Sequence, residues 1–130
     1  MLAIYASRPV RAADYLLPVK DNQPGLFAAL DVLPWREVPV THSVTNRGHG
    51  RIETRTLQVR PAPPDLPFPH VKQVFLVERA VTTMTGTPLS NVAILGVTSM
   101  NPGRGTPATI AQAVRGQWKI EVLHWLRDTV

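Results

Sequence analysis

The stretch Thr106-Pro107-Ala108-Thr109-Ile110-Ala111-Gln112-Ala113-Val114-Arg115-Gly116-Gln117-Trp118-Lys119-Ile120-Glu121-Val122-Leu123-His124-Trp125-Leu126-Arg127-Asp128 decides how the chain is read. Ile110, Val114, Trp118 and Trp125 recur at helical spacing and define one apolar stripe, so the spacing predicts a helix from Pro107 to Asp128. Thr106 is its cap and Pro107 its first residue, where a missing N–H does no harm. At 100° per residue Glu121 falls within about 20° of Ile110 and Val114 and about 40° of Trp125. A carboxylate on a core-facing stripe is costly unless a cation, a donor network or a metal holds it. Gln117 lies one turn before it, His124 nearly one turn after, and Asp128 two turns on, about 10 Å along the axis. That is too far for Glu121 and Asp128 to share one ion, so a metal there would need acids from other elements. The same spacing also fits an amphipathic core helix whose acid pairs with a nearby arginine.

Outward from this helix the chain is punctuated by proline and glycine. Asn101-Pro102-Gly103-Arg104-Gly105 breaks whatever precedes it. Asn91 to Thr98 and Val71 to Val81 read as strands, joined by the Thr- and Gly-rich connection 82–87. The five prolines between Pro61 and Pro69 form a rigid loop rather than a domain boundary, because apolar strands resume directly after it. A strand from Arg51 to Arg60 follows a tight turn at Arg47-Gly48-His49-Gly50, and Trp35 to Val38 is an irregular link between Pro34 and Pro39. Pro24 opens a helix to Val32 after the turn Asp21-Asn22-Gln23-Pro24-Gly25. Tyr15 to Lys20 is a short strand in which Pro18 removes a ladder donor and argues for an edge. The order β-α-β-β-β-α predicts a mixed α/β fold.

Composition narrows the classes. At 130 residues the chain is one domain or a piece of one, and 44% apolar residues can fill a modest core. Fourteen basic against nine acidic residues give a net charge of +5. Eleven of the fourteen are arginines, the better bidentate phosphate ligand. The absence of cysteine excludes disulfides and thiolate zinc sites and fits a reducing cytoplasm. The four histidines lack metal-cage spacing. Apolar runs fall far short of the roughly 20 residues a spanning helix needs, and Met1 to Tyr5 carries no basic leader, so a cytoplasmic protein without membrane or signal segments is expected.

Three polar motifs carry candidate chemistry. In Gly48-His49-Gly50-Arg51-Ile52-Glu53-Thr54-Arg55, strand alternation puts Arg51, Glu53 and Arg55 on one face. With five arginines against two acids between Arg36 and Arg60, this ribbon suits phosphates, or else a solvated face of self-paired charges. Gly103-Arg104-Gly105-Thr106 could hold an anion at a helix start, but it lacks the Gly-Lys-Ser/Thr ending of a P-loop and reads better as turn and cap. Lys20-Asp21-Asn22 is a common post-strand turn.

Four motifs in order resemble the C-terminal part of DDE-type insertion-sequence transposases of the H-repeat-associated (IS-As-one) group. They are Ala13-Asp14-Tyr15-Leu16-Leu17-x-Val19-Lys20-x-Asn22-Gln23-Pro24, Arg47-Gly48-His49-Gly50-Arg51-Ile52-Glu53-Thr54-Arg55, the strand end Val97-Thr98-Ser99, and Arg115-Gly116-x-Trp118-x-Ile120-Glu121-x-x-His124-Trp125-x-x-Asp128. Residues 13–128 are family-like and 1–12 do not match. The resemblance implies a partial RNase H-like core with a β-rich insertion and a role in DNA transposition. It implies Mg²⁺ held by two aspartates and a glutamate, and in-line attack on a phosphodiester. Glu121 stands where the family has its third catalytic and metal-binding acid; His49, Arg51, Arg55 and Arg115 stand as candidates for binding transposon-end DNA. Gln117, Lys119 and Val122 replace the usual histidine, glycine and asparagine, and Asp14 matches a non-catalytic aspartate. Both family aspartates lie upstream of the Tyr15 strand, and Met1 to Ala12 contains no acid. One carboxylate cannot hold two divalent ions, so the expectation is a catalytically incomplete fragment that binds Mg²⁺ only weakly by itself. Two alternatives accompany it: a non-catalytic DNA-binding regulator of transposition, and a small structural or interaction domain. Half a sheet without its central strands would expose an edge and self-associate.

Overall fold

The computed structural model of the chain describes residues 4–5 and 14–116. Six strands and two helices appear in it: β1 Ile4–Tyr5, β2 Asp14–Val19, α1 Pro24–Asp31, β3 Val40–Gly48, β4 Arg51–Pro61, β5 Gln73–Thr83, β6 Pro88–Thr98, and α2 over residues 107–116. The strands form one antiparallel sheet in the order β1-β2-β6-β5-β4-β3. This is a mixed α/β arrangement with two strands more than the sequence pattern predicts. One of them is β3, where Thr41, His42, Ser43, Thr45 and Asn46 dilute any apolar alternation. An outer strand with neither face fully covered needs none, and its residues are half-buried at most.

Side-chain alternation divides the core between the two faces of the sheet. On one face Leu16, Leu57, Phe75 and Val77 meet Ile110, Ala113 and Val114 of α2. On the other, Leu17, Val19, Val74, Leu95 and Val97 meet Leu26 and Leu30 of α1. α1 and the described part of α2 sit at the β2 end of the long strands. The first six residues of β6 and most of β3 remain exposed at the far end.

Local chemistry explains the joints. Pro24 occupies the first turn of α1, and Trp35 Nε1 donates to the Leu30 carbonyl (2.9 Å), satisfying one of the acceptors left over at the helix end. The link after α1 is ordered: Trp35–Glu37 is a 3-10 turn, and Gln58 Nε2 donates to the Trp35 and Val38 carbonyls (2.6 and 2.8 Å). His49 and Gly50 (φ 53° and 74°) form the two-residue turn between β3 and β4, the doubly left-handed kind whose twist matches the strands it joins. The proline-rich loop is tied down by Tyr15, whose hydroxyl donates to the Pro69 carbonyl and whose ring meets Phe68 edge-on at 5.5 Å. Burial pushes the Tyr15 phenol up to about 12.

The approach to α2 hangs on buried Gln73. Its Nε2 donates to the carbonyls of Met100 (3.0 Å) and Gly105 (2.9 Å). Thr106 Oγ1 then accepts the Thr109 N–H, the cap expected from sequence. Phe75 lies across Gly96 on the neighbouring strand, its cross-strand partner, filling the space where a side chain would stand. No helix among the described residues is long and apolar enough to cross a membrane.

Candidate nucleic-acid interface

The β3–β4 turn and the start of β4 build an open groove of about 510 Å³, lined by Asn46, Arg47, His49, Arg51, Glu53 and Arg79 among others. Three arginines against one glutamate leave it two positive charges in excess. Strand register explains how they meet. Odd positions of β4 face the α2 side, so Arg51, Glu53 and Arg55 share a face, as alternation predicts. Arg79 on β5 sits directly opposite Arg55. Glu53 is the hub: its Oε2 accepts from Arg55 (3.0 Å) and is ion-paired with Arg79 as well. Burial pushes the Arg55 guanidinium below its usual value. Glu53 opposes that shift, while the charges of Arg115 and Arg79 reinforce it. Arg115, exposed near the end of described α2, is therefore close enough for its field to reach Arg55.

Two of the expected positions, His49 and Arg51, line the groove itself. Arg55 stands further along β4, paired with Glu53, and Arg115 of α2 acts on the charge of Arg55 without lining the groove. The five arginines between Arg36 and Arg60 do not form a single ribbon. Arg60 occupies an even position of β4, on the opposite face, and its Nε donates to the Pro61 carbonyl (3.1 Å); Arg36 lies in the 3-10 turn. Arg79 is not among the residues expected from sequence, because it follows Glu78 in a strand read from its apolar positions, with no motif around it. The signal that finds it is the β4–β5 register, which places it across from Arg55.

The other motifs are structural. Around Arg104 the backbone donors are already spent: Arg104 N donates to Asn101 O and Oδ1, and Gly105 N to Asn101 O. The Arg104 side chain pairs with Asp14, whose Oδ1 also accepts from Ser99 Oγ (3.2 Å). Tyr15 N donates to the same Ser99 hydroxyl (2.9 Å), so this cluster clamps β2 to the end of β6. The Lys20 amide donates to Asn22 Oδ1, an ordinary turn bond.

Glu121, with Gln117, Trp118, His124, Trp125 and Asp128, lies outside the described residues. Among the described residues no three carboxylates or imidazoles come together as metal ligands. The two best placed acids are committed to arginine: Glu53 to Arg55 and Arg79, Asp14 to Arg104. A divalent ion does not fit either position while those pairs stand. Comparison of the chain with protein-family models, curated proteins and solved structures finds no match.

Proposed function

We propose that this chain is the C-terminal part of a DDE-type insertion-sequence transposase, whose share of DNA transposition is to hold DNA through the β3–β4 groove. In this reading β2 and α2 belong to a partial RNase H-like core, and β3 to β6 are its β-rich insertion. Glu121 is the one catalytic acid retained, the ligand Mg²⁺ would need, and the chain by itself neither cuts nor joins DNA. The observation that carries the DNA-binding half is the convergence of Arg47, Arg51 and Arg79 with His49 on one open groove. Guanidinium groups fixed on strands and at a rigid turn are suited to phosphate oxygens, and such contacts position a protein on DNA without reading sequence.

Titration of a fluorescent DNA duplex by anisotropy tests it. Three phosphate contacts give a slope of log K against log salt of about −2.7, and Arg51→Ala or Arg79→Ala each flatten it by about 1. Binding that ignores salt, or none at low salt, removes the reading. Incubation with supercoiled DNA and Mg²⁺ tests the catalytic half: the plasmid stays closed. Nicking by the wild type that Glu121→Gln abolishes would show an active enzyme instead.

A further inference from the structure

β6 runs past the strand that should cover it. β2 is six residues long and pairs only with Leu95–Thr98, while β6 is eleven residues long and continues back to Pro88. Pro88 to Ala93 are all exposed, and Leu89 and Val92 are exposed large apolar residues, as is Met84 in the adjoining turn. The backbone there has unmet valences. Ser99 N donates to Tyr15 O, which fixes the alternation: odd residues of β6 turn their amide and carbonyl toward the β2 side and even residues toward β5. Beyond β2 the odd groups of Asn91 and Ala93 therefore face outward with no strand beside them among the described residues.

Proteins ordinarily guard such an edge with lysine, inward charge, proline or a bulge. Pro88 and a register shift between Ser90 and Pro88 protect the start of β6, which leaves Ser90 to Ala93 regular and unguarded. Here Pro88-Leu89-Ser90-Asn91-Val92-Ala93-Ile94-Leu95-Gly96-Val97-Thr98 contains no charged residue at all, in a chain of net charge +5. We propose that this edge pairs with the same edge of a second copy of the chain, β6 to β6, antiparallel about a two-fold axis near Asn91. In that register Asn91 faces its own counterpart, so its outward amide and carbonyl are met reciprocally. The pairing is isologous and closes at two copies.

Charge selects this partner. Two chains of net charge +5 repel, and the neutral β6 edge is where they approach with least penalty. At the opposite edge, β3 carries Arg47, which lines the positively charged groove. A foreign strand could use the same backbone groups, but the self-complementary, uncharged sequence asks for no complementary charge from outside. The contact is short, below the roughly 1,200 Å² of a standard interface, so the dimer belongs to the weak class and its dissociation is sought from about 1 μM to about 1 mM. This inference does not depend on DNA binding.

Sedimentation equilibrium across that concentration range, on the full chain, is the test. The expected mass rises from 14.3 kDa toward twice that value. The chain has no cysteine, so a single Asn91→Cys gives a specific handle. A short bismaleimide should join two copies of it, and should not join copies of Thr45→Cys on the exposed part of β3. Val92→Lys, at a position already exposed, should abolish both the mass increase and cross-linking of an Asn91→Cys background, with an unchanged circular dichroism spectrum. A mass that stays at the monomer value throughout, equal cross-linking at Thr45→Cys, or a dimer untouched by Val92→Lys overturns the proposal.

Discussion

Gly96→Ala is the smallest change with a large expected consequence. The added methyl would stand within 2.9 Å of Phe75 Cε2 and closer still to Cζ and Cε1. The ring has nowhere to go: Phe75 is fully buried, and Leu16, Ile110 and Val114 around it are at most 5% exposed. Either the ring leaves its rotamer and pushes α2 off the sheet, or β5 and β6 part. Overpacking of this kind costs typically 1–3 kcal/mol, and with three ring atoms inside contact distance the upper part of that range applies, about 2–3 kcal/mol. In a chain of this size the melting temperature should fall by about 10 °C. Urea unfolding followed by circular dichroism measures it, with the midpoint lowered and the slope m unchanged. Phe75→Leu in the same background should recover part of the loss, giving a coupling of at least about 1 kcal/mol between the two sites. Gly25→Ala, in α1 with open space around the position, serves as the control and should be neutral or stabilising. A loss below about 0.5 kcal/mol for Gly96→Ala, or no coupling to Phe75, would refute the account of how α2 is seated.

Three further outcomes follow from the same geometry. Gln73→Leu strands the carbonyls of Met100 and Gly105 without their shared donor and should cost about 2–3 kcal/mol, read by the same urea assay. Glu53→Gln removes the anion that Arg55 and Arg79 share, so stability should fall by about 1–2 kcal/mol while affinity for DNA at low salt rises several-fold, seen by anisotropy. Because Tyr15 ionises near 12 in the folded chain and near 10 when unfolded, the unfolded state loses its proton first as pH rises. Stability should therefore be unaffected by this group below about pH 10 and decline between about 10 and 12, and Tyr15→Phe should flatten that decline.

The turns and helix starts were legible because single residues dictate them. Pro24 and Thr106-Pro107 opened helices, and Arg47-Gly48-His49-Gly50 marked a tight turn into a strand, each by backbone chemistry that needs no tertiary context. β4, β5 and β6 were found from their apolar positions, with ends shifted by up to three residues. β3 was not, since a strand that hides nothing carries no period-two signal. Of the interface, His49, Arg51 and Arg55 could be grouped because they sit on one hairpin arm. Arg79 could not, for its place beside Glu53 is set by a pairing that bridges the eleven-residue loop 62–72. Which helix covers which face was likewise hidden: it depends on β6 lying between β2 and β5, and no local pattern announces a neighbour that distant in the chain.

The long strands β4, β5 and β6 each reach roughly 36 Å, whereas the described part of α2 spans only about 15 Å. Among the described residues two tasks therefore fall at opposite ends of the same strands: near β2 the side chains pack against α1 and the described part of α2, and near the β3–β4 turn they line the groove. A change of ligand at the groove can then leave the core packing untouched.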